Sequence, residues 1–339
     1  HAIATMLFLL LPGLYDSLVK PIFFPNIASA VGYQSGLTSH YSYNGMLLSA
    51  GVLLSTADFV SARRFSRKGQ TSSDRKIVLV LLFCLALVVT TKRGPLIAVV
   101  TATLLTAYIC SGKYKAVALL KIAFVVVLVA TAFCIAVQFI PQLGNVVLRL
   151  QEIGSADASD ADSGRSLLWD RAIELFQSNP VFGHGWGTYR YYWSGRSDLV
   201  TVTAHNVVLN LLAEVGIVGL LIFFVAATPA LLGLWRMASR IGKLDSHWYM
   251  PIYFAFSFQL FFFVYSFTGS PLYDMESYSF YLLMSCGVWM VLGDGLRKRS
   301  SRSFWWAVRA RTASSKNPER RLGLPFCGRA VTTQGGCVC

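Results

Sequence analysis

Three positions in this 339-residue chain carry side chains that chemistry could use. Arg93 lies in "TKRGP", between two apolar runs. Arg165 opens "RSLLWDRAIELFQSNP". His205 opens "HNVVLNLLAEVGIVGLL" and is followed by Asn206, Asn210 and Glu214 at intervals of four. A guanidinium offers a planar fork of donors that matches phosphate oxygens. At Arg165 the free N–H groups and positive dipole end of a helix would add to that pull on an anion. An imidazole titrates near neutral pH and can take a proton from a hydroxyl. The set suits a site that holds an anion and moves a proton. Each residue also has a plainer reading. Arg93, like Lys92 beside it, could reach for lipid phosphate. Arg165 could be a solvated surface arginine, and His205 an interfacial polar residue. Against the plain reading of His205 stands its neighbourhood. Asn206, Asn210 and Glu214 form one stripe on a helix face, and a carboxylate in an apolar run must face a partner or a wet cavity.

The elements that position these residues are membrane helices. The chain is 55% hydrophobic and only 14% charged, with mean hydropathy +0.54. A soluble domain carries about 25% charge. "KIVLVLLFCLALVVTT", "PLIAVVTATLLTAYIC" and "IAFVVVLVATAFCIAVQFI" have no polar face, so they are buried all round or span a bilayer. The net charge of +14 does not point to nucleic acid. The basic residues cluster at helix ends: Arg63 to Lys76, Lys113 to Lys121, Arg236 to Lys243, and the tail from Arg297. That is where the positive-inside rule puts them.

These clusters thread the chain. With Arg63 to Lys76 in the cytoplasm, residues 77–91 cross outward and 95–110 return. Residues 118–140 exit into a long periplasmic loop, 141–203. Residues 206–235 return, 249–268 exit, and 278–294 return to a basic tail. At the front, 2–15 is expected to end an incomplete span and 44–60 to cross inward. The expected fold is all-α and polytopic, with about eight spans. A transmembrane domain, 1–299, holds the loop, and a polar tail, 300–339, is expected to be disordered. The chain enters directly into an apolar run, so earlier spans are expected upstream.

Within the loop, an amphipathic helix is expected from a cap at Asp162 or Ser163 to just before Pro180. Leu168, Trp169, Ala172, Ile173 and Phe176 would share its apolar face, resting on the membrane or packing on the spans. After it comes "VFGHGWGTYRYYWSG", rich in glycine and aromatics. "GHGWG" follows a helix, not a strand, so it is not a nucleotide loop. The acidic run from Asp160 places Arg171 where a calcium loop needs glutamate, so that motif fails. No zinc spacing occurs, and metal independence is expected. Cys84, Cys110, Cys134 and Cys286 lie in apolar runs, and Cys327, Cys337 and Cys339 in the tail, so no disulfide framework is expected.

Together, "SGRSLLWDRAIELFQSNPVFGHGWGTY", "AHNVVLNLLAEVGIVGLL" and "TKRGPLIA" resemble the signature of the O-antigen ligase and polymerase superfamily. "GLTSHYSYNGMLLSAGVLL" loosely resembles the segment upstream, so the resemblance runs from about Gly36 to Gly293. The family usually has about twelve spans, so the first few are expected to be missing here. The resemblance implies a bacterial inner-membrane glycosyltransferase with its active site facing the periplasm. Its donor would be a glycan on undecaprenyl diphosphate. Its acceptor would be a sugar hydroxyl, on lipid A-core for a ligase or on a second glycan for a polymerase. Carried over by motif, Arg93 and Arg165 would bind the diphosphate, and His205 would act as base or orient the acceptor. Asn206, Asn210 and Glu214 would support the site. Tyr189, Tyr191, Tyr192 and Trp193 could stack on sugar rings or serve as interfacial aromatics. No cofactor is implied. A transporter of a small anion or lipid-linked glycan would use the same arginines and Glu214. Such proteins often show inverted repeats and paired broken spans, and the sequence displays neither.

Overall fold

The computed structural model describes residues 2–10, 41–65, 72–90, 92–120, 165–192, 203–243 and 246–273, with isolated positions between and beyond them. All of these lie in the compact unit His1–Val288. The expected spans 118–140 and 278–294 fall almost wholly outside the described residues. So do the first part of the loop, the cap at Asp162 or Ser163, Trp193 and the tail.

Among the described residues the secondary structure is helical, with no strand. The helices are α1 (Ala2–Leu10), α2 (Tyr41–Phe65), α3 (Ser72–Val89), α4 (Arg93–Cys110), α5 (Arg165–Ser178), α6 (Tyr189–Tyr192), α7 (Val207–Ser239) and α8 (Ser246–Tyr265). Among the described residues, four stretches are long and apolar enough to cross a membrane: Ser42–Phe65, Arg93–Cys110, Val207–Ser239 and Ser246–Tyr265. The protein is a polytopic membrane protein.

α2, α3, α4 and α8 pack together, with α1 against α3. Their shared core is built from Met46, Leu53, Leu87, Val99, Phe258 and Phe261, all at most 5% exposed. α7 leans on α4 and α8 and carries α5. Its Leu221, Ile222 and Val225, and Val78 and Leu81 on α3, remain exposed. Apolar side chains turned outward in this number suit a lipid solvent.

The helix ends sort into two layers. At one end, Lys76 Nζ meets Asp58 Oδ1 at 2.7 Å, and the Arg64 guanidinium lies 5.3 Å from the Tyr249 ring centroid. At the other end, Lys92 Nζ donates to Ser42 Oγ at 3.4 Å, and the Val207 N–H donates to the Ser266 carbonyl at 2.8 Å. This antiparallel order is that of the threading read from the basic clusters.

The expected span 206–235 takes a different form. α7 is two helices joined at Gly216, whose backbone (φ 64°, ψ −167°) is not helical. The first piece, 207–215, is short. The second, 217–239, is long enough to cross a bilayer by itself. Glu214 therefore lies ahead of this longer piece and not within it.

Candidate functional site

His205 stands on a fixed pedestal. Both of its neighbours are tied down, Ala204 buried and Asn206 half-buried. The Ala204 N–H donates to Asn210 Oδ1 at 2.9 Å, and the Ala204 carbonyl accepts from Trp169 Nε1 at 2.9 Å. Thr203 Oγ1 donates to Ser270 Oγ at 2.9 Å, and Asn210 Nδ2 reaches the same oxygen at 3.5 Å. Asn206 caps α7: its Oδ1 accepts from the Val208 and Leu209 N–H groups at 3.0 and 3.2 Å. His205 itself is exposed and has φ 50°, the only positive φ at a non-glycine among the described residues. Such a conformation persists where the surroundings over-determine it.

Each arginine begins a helix that is tied to this pedestal or to the turn beside it. Arg165 begins α5, one turn before Trp169, which holds the Ala204 carbonyl. Arg93 begins α4 and is half-buried. The next residue, Gly94, sits so close to the α8 end that a Cβ there would lie 2.8 Å from Thr268 Oγ1 and 3.2 Å from the Tyr265 ring. The same turn supplies the Ser266 carbonyl that anchors Val207. The Tyr265–Ser270 turn thus joins the Arg93 step to the His205 segment, although they are remote in sequence. It carries no motif, so the sequence offered little sign of it.

α5 covers the short first half of α7. Its buried residues are Leu168, Ala172 and Leu175, with Trp169 packed beside them. This corrects the expected face, since Ile173 is 42% exposed and Leu175 takes its place inward. Leu168, Ala172 and Leu175 follow the i, i+4, i+7 stripe of a helix laid on a partner.

The turn after α5 fills the break in α7. The His184 and Gly185 N–H groups donate to the Ala213 and Glu214 carbonyls at 3.2 and 2.7 Å. In return, Ile217 and Val218 donate to the Pro180 and Val181 carbonyls at 2.9 and 3.2 Å. The groups orphaned by the break are thereby satisfied from within the protein. The approach leaves no room for side chains: a Cβ on Gly183 would collide with the Glu214 backbone, and one on Gly216 with the Val181 carbonyl.

The Glu214 carboxylate, 2% exposed, is held by the same turn. It accepts from the Gly187 N–H at 2.9 Å and the Tyr189 N–H at 3.0 Å. Asn210 and Glu214 therefore face inward as expected, while Asn206 is the half-buried cap ahead of the helix; the carboxylate's partners are backbone amides. The Tyr273 hydroxyl is buried beside the carboxylate without a well-formed hydrogen bond. Burial first, and then the Glu214 charge, pushes its pKa above the ordinary tyrosine range. Tyr189 is also buried, with its hydroxyl donating to the Leu168 carbonyl at 2.7 Å. Its pKa is likewise raised by burial, against a smaller pull from Arg171. A ring so enclosed has no face for a sugar. Tyr191 is 63% exposed and lies under the Arg190 guanidinium at 4.9 Å. Tyr192 completes α6.

Residues 77–224 match the family model described as O-Antigen ligase. This stretch is similar to the O-antigen ligase family. The match takes in Arg93, Arg165, the glycine turn, His205 and the break at Gly216. It is narrower than the resemblance read from the motifs: Gly36–Leu54 and everything beyond Phe224 lie outside it. No curated protein matches the chain. The match supports a membrane glycosyltransferase of the ligase or polymerase type, acting with a lipid-linked glycan and an acceptor in the membrane.

Proposed function

We propose that the protein is an O-antigen ligase-like glycosyltransferase of the bacterial inner membrane. It moves a glycan from undecaprenyl diphosphate to a sugar hydroxyl of lipid A-core, on the periplasmic face and without a metal. About eight spans and a periplasmic loop over 141–203 form its frame. In the reaction, the bond from the anomeric carbon to the diphosphate oxygen breaks. A bond from that carbon to the acceptor oxygen forms, and the acceptor proton passes to His205. Arg93 and Arg165 hold the diphosphate and stabilise the charge it gains on leaving. Tyr191 is the aromatic best exposed to stack on a sugar.

The observation that carries this reading is the exposed His205 on a hydrogen-bonded pedestal, joined to the Arg165 helix through Trp169 and to the Arg93 step through the Tyr265–Ser270 turn. Asn206, Asn210 and Glu214 support it by fixing the pedestal and the turn. The test is transfer by the purified protein in the presence of a chelator, from the lipid diphosphate donor to lipid A-core. His205→Asn and Arg165→Ala are expected to lose transfer and keep expression. Full activity in both overturns the assignment. A deletion strain separates the two acceptor classes: unattached long chains indicate a lost ligase, single repeat units a lost polymerase. Glycan flux into proteoliposomes without any acceptor would favour a transporter instead.

A further inference from the structure

The glycine turn carries a feature that the transfer reading does not use. Its tip presents Val181 and Phe182 at 46% and 71% exposure, and Trp186 at 58%. These side chains are not on a free loop. The Pro180 and Val181 carbonyls accept from Ile217 and Val218, so the tip is fixed at the level of the first turn of the second α7 piece.

That level can be placed against a bilayer. A helix over 217–239 is about 34 Å long at 1.5 Å per residue, and a hydrocarbon core is about 30 Å thick. Its far end carries Arg236 and Arg240. α8 returns from there over 20 residues and ends at Tyr265, beside Val207. Ile217 therefore lies at the edge of the hydrocarbon, and Val181 and Phe182 lie with it. They also continue an exposed apolar stripe, since Ile217, Leu221 and Val225 follow at intervals of four and are 41%, 56% and 72% exposed. Trp186 stacks one face on Tyr273, with centroids 5.0 Å apart and rings 11° from parallel, and leaves the rest exposed. A half-exposed tryptophan at this depth suits the headgroup region.

We propose that the Pro180–Trp186 turn is a membrane-interface anchor. Val181 and Phe182 enter the upper acyl-chain region of the leaflet at the His205 end of the bundle, and Trp186 lies among its headgroups. The occupant of this apolar surface is bilayer lipid, because the surface is continuous with the outward stripe of the crossing helix. The anchor fixes the height of α5 and the His205 segment relative to the headgroups. It stands whether or not the protein transfers glycans.

Photolabelling tests it on the full chain in phosphatidylglycerol-containing nanodiscs. Three phospholipids are used, with a diazirine near the ester, at the acyl terminus, or on the headgroup. Adducts are mapped by mass spectrometry. The near-ester probe is expected to label Val181 and Phe182, and the terminal probe to label Leu221–Val225 but not the turn. Val181→Ser with Phe182→Ser should cut labelling of the turn at least tenfold and leave Leu221–Val225 unchanged. A turn unlabelled by either acyl probe, while Leu221–Val225 is labelled in the same sample, overturns the proposal. So does labelling from the headgroup probe alone. If the double variant does not fold, the wild-type pattern still decides.

Discussion

His205 separates side-chain chemistry from backbone geometry unusually well. Its left-handed φ is one that asparagine also tolerates. His205→Asn should therefore preserve the pedestal. Transfer is expected to fall by about 10²–10⁴, the usual contribution of a positioned acid or base, while the melting temperature in detergent stays close to wild type. A large drop in melting temperature would mean that the imidazole holds structure. Arg165 is tested by a change that keeps its charge. Lysine lacks the fork of donors, and a lost charged hydrogen bond of about 1.5–3 kcal/mol corresponds to roughly 10–150-fold in rate. Arg165→Lys is expected to fall in that range in kcat/KM. Wild-type kinetics would show that charge alone suffices.

At the scale of elements, the break in α7 is the decisive feature. Gly216 has a φ, ψ pair that only glycine adopts readily, and its Cβ position is taken by the Val181 carbonyl. Gly216→Ala must unseat the turn or straighten the helix, and loss of monodisperse protein on size-exclusion chromatography is the expected outcome. Glu214→Gln is milder. It keeps one carbonyl oxygen for the two amides of Gly187 and Tyr189 and sets an NH2 group against the other. A destabilisation of about 1–3 kcal/mol is expected, read by thermal unfolding. An unchanged melting temperature would remove Glu214 from the set of structural anchors. The notable element-scale difference from the sequence reading is here. Asn206 is the cap ahead of the helix, whereas Asn210 and Glu214 were legible as inward-facing because their spacing is local. Their partners were not, because backbone amides look alike at every position.

At the scale of the molecule, the two layers of helix ends predict sidedness. A reporter fused after Lys243 and one fused after Gly269 lie at opposite ends of α8. With alkaline phosphatase, which is active only outside the cytoplasm, the fusion after Gly269 is expected to be active and the one after Lys243 inactive. The reverse pattern would place His205 in the cytoplasm and remove the proposed donor from reach.

The sequence by itself determined the membrane class, the order of the described membrane helices and the motif residues. Runs of apolar side chains and clusters of lysine and arginine are read locally by the bilayer, so they need no fold to be legible. It also marked Arg93, Arg165 and His205, though not the contacts that tie their segments to the rest of the fold. The tertiary structure decided that Tyr265–Ser270 joins the Arg93 step to the His205 segment, that Tyr189 is enclosed while Tyr191 is exposed, and that the long piece of α7 starts at Ile217. Each of these depends on backbone groups from distant segments finding one another. Every residue carries those same groups, so their pairing is set by packing and leaves little trace in the order of side chains.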